Sequence, residues 1–506
     1  MTENTDPYLA LIRELKEIAV LASTVSLLHW DEQTQLPLKG GANRAEQISL
    51  LVRLCHERFT SARVGGLLGE AETAMGDLDE DTERAANLRE TRRAYERQTK
   101  LPGSLVEELS RTTVLGQQAW VQARKNSNYA EFEPWLSKII GLKREEARCI
   151  SVHGPLYDAL LDEFEPGETS ENLRRVFEEL RSPLIDLVAN IRDSGRKAPA
   201  EILTRHYPAD AQEAFARKAA TAIGFDFEAG RLDRSVHPFC SIIAPGDTRM
   251  TTRYDENYFG DAFFGVLHET GHGLYDQGLP TENFGTPLGE AVSLGIHESQ
   301  SRMWENLVGR ARPFWHFMMP AVRAAFPAAL ASVSDEEWMF AINDIRPSLI
   351  RTESDETTYN LHIMIRFELE QALLHGDLST ADLPGAWNDK VESFLGLVPP
   401  TDAMGCLQDI HWSSGAIGYF PTYTLGNLIA AQLFETAKRN VADLEEGFGR
   451  GDFVPLLKWL RENVHQHGKR YSAGQLVQQA TGASLSAAPL LRHLRTKAHE
   501  YYGVSA

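Results

Sequence analysis

The sequence has no long apolar run: none of its 506 residues lies in a stretch that approaches the roughly 20 uninterrupted apolar residues a membrane-spanning helix needs. Basic residues are also comparatively few, with 51 Lys and Arg against 71 Asp and Glu, which gives a formal charge of -20. Such a charge repels nucleic acid and anionic membranes overall, so neither is expected as a partner. Residues 1–21 carry acids where an export leader needs basic side chains, which predicts a cytoplasmic protein.

Cysteine is scarce as well, and the four present, Cys55, Cys149, Cys240 and Cys406, form no CxxC pair. Their spacing suggests neither a disulfide framework nor a cysteine-ligated metal site. What the sequence does have is an ordinary folded composition, with 42% hydrophobic and 24% charged residues. A chain of this length forms either one large domain or two.

Helical periodicity dominates the sequence. In residues 173–180, apolar side chains recur at i, i+3, i+4 and i+7, which is typical of a helix with one buried face. Similar patterns fill most of residues 1–236 and return after residue 254. The pattern predicts a mainly α protein.

Residues 239–254 have a composition that favours strands rather than helices. Two runs rich in β-branched residues flank the Pro245-Gly246 turn, which predicts a short β-hairpin or a small sheet. An exposed strand edge at this point offers an extended peptide a backbone to pair with.

Directly after this hairpin, residues 263–275 are apolar and helical in pattern, and they contain His268-Glu269-Thr-Gly-His272. At 3.6 residues per turn, His268 and His272 project from one face, so both imidazoles can bind one ion. Zinc suits imidazole nitrogen and keeps an open position when a protein supplies three ligands. Glu269 would then take the proton of a zinc-bound water. The alternative is a helix with two ordinary histidines.

A third ligand is expected in the next helical pattern, residues 289–302. It holds two glutamates, Glu290 and Glu298, eight residues apart and therefore near the same helical face. Periodicity alone does not separate them.

Six motifs in a fixed order resemble those of the carboxypeptidase Taq family of metallocarboxypeptidases. They are HPF at 237–239, DxRxT at 247–251, HExxH at 268–272, HES/GQ at 297–300, a near match to IRxxAD at 350–355, and GxxQDxHW at 405–412. Residues 30–37 also look like the amino-terminal region of that family, so the resemblance extends over the chain. The one departure is Ser354, where the family usually has alanine, and it leaves local packing or hydrogen bonding open.

The resemblance implies Glu298 as the third ligand, Glu269 as the base and one zinc ion per chain, although His/His/Glu sites also accept cobalt or manganese. It implies a large bilobed helical fold with a deep active-site cleft, and a homodimer. The expected organisation is a single catalytic domain over 1–506, with a helical lobe at 1–236, the motif-bearing region at 237–426 and carboxy-terminal helices at 427–506. The expected activity releases single residues from peptide carboxy termini with broad side-chain preference.

A carboxypeptidase must bind a free carboxylate, and a planar guanidinium offers two parallel donors for it. Arg351 is the favoured candidate and Arg249 the second. The alternative for either is a structural ion pair, since Glu353, Asp355 and Asp247 lie close in sequence.

Charge that develops on the attacked carbonyl oxygen needs a donor beside the metal, and His411 with Tyr419 or Tyr423 would supply one. The glycines of residues 415–426 suggest a mobile loop there, while the alternative is that both tyrosines pack in the core. His237 is assigned to the substrate side.

Asp355 and Glu356 are candidates for orienting a ligand imidazole from behind. Two rival functions are also compatible with these sequence features. The first is an endopeptidase or a dipeptide-releasing peptidase with the same metal site. The second is a silent helical scaffold with a structural metal, which would not need Glu269.

Overall fold

The computed structural model describes residues 6–76, 82–151 and 153–505, so the first five residues of the acidic amino-terminal stretch lie outside it. Helices account for most of what is described, as the periodicity predicted. Among the described residues, no helix is both long enough and apolar enough to cross a membrane. The helices before the sheet are α1 (Pro7–Thr34), α2 (Gly41–Phe59), α3 (Ala62–Met75), α4 (Glu83–Lys100), α5 (Gly103–Asn126), α6 (Glu133–Ile150), α7 (Leu156–Leu161), α8 (Ser170–Asp193) and α9 (Ala209–Ala222).

A three-stranded sheet follows, formed by β1 (Gly230–Arg234), β2 (Phe239–Ala244) and β3 (Asp247–Thr252) in the order β1-β3-β2. β2 and β3 are antiparallel and form the predicted hairpin, and β1 runs parallel to β3. β1 was not predicted, because its sequence Gly-Arg-Leu-Asp-Arg has no β-branched residue and no alternation of apolar and polar side chains.

The helix with the HExxH motif, α10 (Phe259–Asp276), packs against β2 and β3. It is followed by α11 (Leu294–Arg302) and by one π-helical turn, Met303–Val308. The remaining helices are α12 (Arg312–Ala325), α13 (Pro327–Leu330), α14 (Asp335–Ile342), α15 (Tyr359–His375), α16 (Leu383–Leu395), α17 (Pro421–Asn440), α18 (Leu444–Gly449), α19 (Val454–Asn463), α20 (Ala473–Thr481) and α21 (Ala488–Tyr502).

The hydrophobic core is divided in two. The larger cluster runs from Trp120 to Val504 and surrounds α10, where Phe263 stacks on Phe215 and on Phe259 and meets Trp315 at an interplanar angle of 50°. A separate, smaller cluster lies within the amino-terminal helices α1, α3 and α4, and its members are Leu11, Leu15, Ile18, Val64, Leu68, Ala71 and Leu88.

Polar contacts join these amino-terminal helices to the rest of the protein. Lys16 donates to the carbonyl of Glu282 at 2.8 Å, and Arg93 pairs with Asp162 at 3.2 Å. The helices therefore form a unit with its own apolar interior, held to the main body in part by charged and hydrogen-bonded groups.

A cleft of about 1270 Å³ opens beside α10. Residues from distant parts of the chain line it, and among them are Trp120, His237, His268, Arg302, Arg351 and His411. The mainly helical fold with a deep cleft and a small sheet beside the motif helix confirms the expected architecture.

Candidate metal centre and cleft

His268 and His272 of α10 and Glu298 of α11 converge on one point. Their ligand atoms all lie within 4.8 Å of one another. The Nε2 atoms of His268 and His272 are 3.6 Å and 3.5 Å from the same Glu298 oxygen, Oε2. Two imidazole nitrogens and one carboxylate oxygen are a donor set that zinc and other divalent transition metals accept.

The outer nitrogens of both imidazoles are already engaged. Nδ1 of His268 lies 2.9 Å from Oε2 of Glu305. Nδ1 of His272 contacts Nδ1 of His297, whose Nε2 lies 3.0 Å from a carboxylate oxygen of Asp276. Partners of this kind orient a ligand imidazole and fix its tautomer, leaving each Nε2 lone pair directed at the shared point. The residues present therefore fit a divalent metal ion.

The charges at the cluster suit metal binding. Burial lowers the pKa of His272 to about 3, so this ring is neutral at pH 7. Burial opposes ionisation of Glu298, but Arg302 and the two histidines outweigh it and hold the pKa of this carboxyl well below its usual range. For His268, burial favours the neutral ring, yet Glu298 and Glu305 raise its pKa overall, so a proton competes with a metal ion for Nε2.

Glu269 follows the first histidine and is only 7% exposed. Burial raises the pKa of its carboxyl to about 7; the charge of Glu298 adds to this effect and His268 opposes it. A carboxyl with a pKa near neutrality can accept a proton and return it at physiological pH.

Close helix contacts hold the cluster together, and two glycines permit them. A Cβ at Gly271 would lie well under 3.0 Å from the backbone of Gln300 and Ser301, so α10 and α11 touch backbone to backbone. A Cβ at Gly426 would come as close to the side chain of Glu298, which brings α17 directly against the third ligand. Only a residue without a side chain fits either place.

The two glutamates that periodicity left open are separated by the structure. The expectation that Glu290 and Glu298 share a helix is wrong, because Ser293 caps α11 and Glu290 lies before the cap in extended backbone. Glu290 is exposed and pairs with Lys469. Glu298 alone belongs to the cluster.

Arg351 lies on the cleft wall in a buried ionic network. Its guanidinium bonds Asp409 at 2.8 and 2.9 Å and donates to the Tyr359 hydroxyl at 2.6 Å. Asp409 also accepts hydrogen bonds from the Arg366 guanidinium, at 2.5 and 2.7 Å. The Gln408 side-chain oxygen accepts from the backbone N–H of Arg351 and from the Arg366 guanidinium. One carboxylate faces two guanidinium groups, so the network carries an uncompensated positive charge.

Arg249 has a different environment. Its guanidinium makes a two-pronged contact with Asp247 at 2.7 and 2.8 Å and lies 4.2 Å above the ring of Trp30. Arg231 lies on the same ring at 4.8 Å. These contacts favour the ion-pair alternative for Arg249, in which it fastens α1 to the sheet.

His411, Tyr419 and Tyr423 form one aromatic group. The Tyr423 hydroxyl is 3.4 Å from Nε2 of His411, and the Tyr419 ring centre lies 5.3 and 5.4 Å from the other two rings. Burial lowers the pKa of His411 to about 4, so its ring is neutral at pH 7. Both tyrosines lie within electrostatic reach of Glu298.

The prediction of a mobile loop over residues 415–426 is wrong. Tyr423 belongs to α17, which begins at Pro421, and most side chains of the segment are buried. The buried carboxylate of Glu370 accepts from Gly418 N–H at 3.1 Å and from Trp412 Nε1 at 2.9 Å, which fixes the turn. The glycines are needed here for turn geometry, with positive φ at 415 and 418.

The assignment of Asp355 and Glu356 to a ligand imidazole is also wrong. Asp355 fixes the turn before α15 by accepting from the backbone of Thr357 and Thr358, and Glu356 pairs with Lys497 and His493. Ser354 donates to the Ile350 carbonyl at 3.1 Å, so its hydroxyl is satisfied locally.

The groups behind the ligands were missed in the sequence. They are Asp276, His297, Arg302 and Glu305. A helical count was the available signal, since Arg302 and Glu305 follow Glu298 at i+4 and i+7. His237 is exposed and lines the cleft, and its assignment to the substrate side stays a prediction.

Comparison with known proteins agrees with this geometry. The profile of the carboxypeptidase Taq (M32) metallopeptidase family matches residues 10–498. The chain is 46% identical over 505 residues to thermostable carboxypeptidase 1 of Thermus thermophilus, covering 98% of this chain and 99% of that protein. It is 38% identical over 488 residues to carboxypeptidase 1 of Bacillus subtilis, covering 96% and 97% respectively.

Among solved structures, the M32 carboxypeptidase of Deinococcus radiodurans R1 superposes with a TM-score of 0.95 at 40% identity, covering 98% of this chain and all of that one (100%). The profile match and these relatives extend over nearly the whole sequence, and the matched range 10–498 spans the positions of the cluster and the cleft. The chain therefore belongs to the carboxypeptidase Taq (M32) family of metallopeptidases and is a metallocarboxypeptidase.

Proposed function

We propose that the protein is a zinc-dependent carboxypeptidase that removes single residues from peptide carboxy termini with broad side-chain preference. The observation that carries this proposal is the excess positive charge of Arg351 and Arg366 over Asp409, at a cleft that also reaches His268. A free carboxylate is the substrate group that such a charge binds, and the residue next to an internal peptide bond lacks the terminal α-carboxylate.

His268, His272 and Glu298 are the proposed ligands. A divalent ion held there would supply Lewis acidity for the scissile carbonyl and for water. Glu269 takes the proton of the attacking water as the oxygen adds to the carbonyl carbon. It then delivers this proton to the departing nitrogen as the C–N bond breaks, which frees the terminal amino acid and the shortened peptide.

Arg351 is the proposed contact for the terminal carboxylate. Gln408 and Asp409 hold its backbone and its guanidinium, so its orientation is set before substrate arrives. This preorganisation reduces the entropy lost on binding. Arg249 is retained only as the second candidate, because Arg351 lines the cleft beside His268, whereas Arg249 is not among the lining residues and lies against Trp30.

His411 and Tyr423 are the proposed donors to the oxygen that gains negative charge, with Tyr419 and His237 in contact with substrate. Nδ1 of His411 is buried without a hydrogen-bond partner in the described part of the chain, which favours a proton on Nε2. Nε2–H and the Tyr423 hydroxyl lie side by side and would donate to one oxygen.

The remaining parts of the proposal rest on the family resemblance and on composition. Zinc is the proposed metal, and cobalt and manganese are alternatives that the same donors accept. The chain acts as one catalytic domain over 1–506, as a homodimer in the cytoplasm, on peptides.

The test uses one peptide with a free carboxy terminus and its amidated twin, each incubated with and without a chelator, with products followed by mass. We expect stepwise loss of single residues from the free peptide only, abolished by the chelator. Equal cleavage of both peptides would point to an endopeptidase, and release of residue pairs would point to a dipeptide-releasing peptidase. Cleavage that survives the chelator would refute the metal requirement.

A further inference from the structure

The two oxygens of Glu298 have different surroundings. Oε2 faces the Nε2 atoms of both ligand histidines, at 3.6 and 3.5 Å. Oε1 instead accepts a hydrogen bond from Nε of Arg302 at 2.7 Å. A carboxylate whose second oxygen is held in this way presents only one oxygen to a metal ion.

We propose that Arg302 is a positioning residue for the metal centre: it holds Glu298 in a one-oxygen binding geometry and so keeps a coordination position open for water and substrate. This inference rests on the proposed ligand set. Arg302 belongs to no motif used above and contacts neither the proposed base nor the proposed carboxylate site through a hydrogen bond.

The Arg302 guanidinium is also linked to the proposed ligand His268, through Glu305. NH1 of Arg302 lies 3.2 Å from Oε2 of Glu305, and that oxygen is 2.9 Å from Nδ1 of His268. One cation thus joins the outer partner of His268 to the outer oxygen of Glu298. A shift of Arg302 would move two of the three ligands together.

The ionic contacts of Arg302 are largely shielded from solvent. The side chains of Arg302 and Glu305 are each 14% exposed and that of Glu298 is 7% exposed, so bulk salt screens them little. The ring of Tyr359 lies 4.6 Å from the Arg302 guanidinium carbon and covers one of its faces. The Arg302 guanidinium is therefore held in place by two carboxylates and by the Tyr359 ring.

The backbone at this point is unusual. The π-helical turn Met303–Val308 begins directly after Arg302, and the N–H of Gly309 bonds the carbonyl of Trp304, five residues back. A Cβ at Gly309 would lie under 3.0 Å from the carbonyls of Trp304 and Glu305, so glycine permits the wide turn. Isolated π turns are frequent at functional sites, and this one sets the direction in which Glu305 leaves the helix relative to Arg302.

Arg302→Gln and Arg302→Lys test the proposal. Neither replacement can bond Glu298 and Glu305 with the planar fork of an arginine, and the lysine variant keeps the buried charge in case the neutral variant fails to fold. Zinc affinity is measured by competition with a chromogenic chelator. The cobalt-substituted proteins are compared by their visible absorption, which reports coordination number. Arg253→Lys is the matched control, because Arg253 lines the same cleft and pairs with Asp261.

We expect both Arg302 variants to bind zinc 10- to 100-fold more weakly, the usual effect of removing an outer partner. We also expect their cobalt spectra to lose intensity as Glu298 binds through both oxygens, while the Arg253 variant matches the wild type. Folded Arg302 variants with unchanged affinity and unchanged spectra would overturn the inference. A wild-type protein that binds no metal would instead overturn the proposed function, so the two failures are distinguishable.

Discussion

Gly426 approaches Glu298 so closely that a methyl group at position 426 would overlap the side chain of the proposed ligand. Gly426→Ala should therefore push Glu298 out of place. We expect at least a tenfold loss of metal affinity and a loss of stability of about 1–3 kcal/mol, as for other overpacked sites. Isothermal titration with zinc and chemical denaturation measure the two effects.

Gly141→Ala is the control for that substitution. Gly141 lies on the exposed face of α6, and a Cβ there meets nothing within 4 Å. Alanine should stabilise the helix by up to about 1 kcal/mol and leave metal binding unchanged. Equal behaviour of the two alanine variants would show that the contact at Gly426 does not matter.

Arg351→Lys should weaken turnover of peptides with a free carboxy terminus. Lysine keeps the charge but loses the second parallel donor, and a hydrogen bond to a charged group contributes about 1.5–3 kcal/mol. We expect kcat/KM to fall roughly 10- to 100-fold, mostly through KM. Arg249→Lys, measured beside it, should have a much smaller effect, and the reverse order would move the carboxylate site to Arg249.

Glu269→Gln should abolish most of the activity without removing the metal. The amide fills the same space but cannot take a proton from water, and general base catalysis contributes about 10²- to 10⁴-fold. The prediction is a fall of that size in kcat with one metal ion per chain still bound, measured by steady-state kinetics and elemental analysis. Loss of the metal itself would show that Glu269 serves the ligands.

Removal of the metal should lower stability as well as activity, because two helices, α10 and α11, supply the ligands. A ligand at 100 times its Kd stabilises the folded state by about 2.7 kcal/mol. Dialysis against a chelator should therefore lower the melting temperature, and zinc, cobalt or manganese should restore it to different extents. An unchanged melting temperature would mean that the site binds no metal under those conditions.

Glu370 predicts a pH-dependent stability. Burial raises the pKa of its carboxyl from 4.5 to about 7 in the folded protein. The folded state then binds more protons than the unfolded state between these values, so this contribution is complete below pH 4.5 and is lost as pH rises through 7. The penalty approaches roughly 3 kcal/mol at most.

Glu370→Gln removes that titration. Denaturation at pH 5 and pH 8 should show the wild type losing stability relative to the variant as pH rises. The wild type and the variant would instead keep the same difference at both pH values if Glu370 stayed ionised in the folded protein. Tyr157, which donates to Glu370 at 2.9 Å, can accept from the new amide, but the amide nitrogen then faces the Gly418 N–H, which donates to the same oxygen in the wild type. The variant therefore loses one hydrogen bond at every pH, and the test rests on how the stability difference changes with pH.

The sequence predicted those parts of the site that depend on local geometry. His268 and His272 share a face because a helix repeats every 3.6 residues, and the hairpin follows from a Pro-Gly turn between β-branched runs. The motif order then pointed to Glu298. Helical counting from Glu290 failed because it assumed a helix four residues before the Ser293 cap.

Contacts between distant segments were beyond such reasoning. Trp30 lies between Arg231 and Arg249, about 200 residues later in the chain, and nothing local in either segment signals this. The π turn at Met303–Val308 leaves no periodic pattern of its own in six residues. Glu305 was missed for that reason, although its spacing from Glu298 was visible.

The separate apolar interior of α1, α3 and α4 has a consequence for local unfolding. Because these helices keep their own core and meet the main body partly through ion pairs such as Arg93–Asp162, they can open as one unit and would uncover only a few apolar side chains outside that core, such as Trp30 and Ala86. Water then replaces each broken ion pair at small cost. The boundary between the two hydrophobic clusters is thus where we expect local opening. The backbone amides of α1, α3 and α4 should exchange hydrogen together, and faster than those of α10.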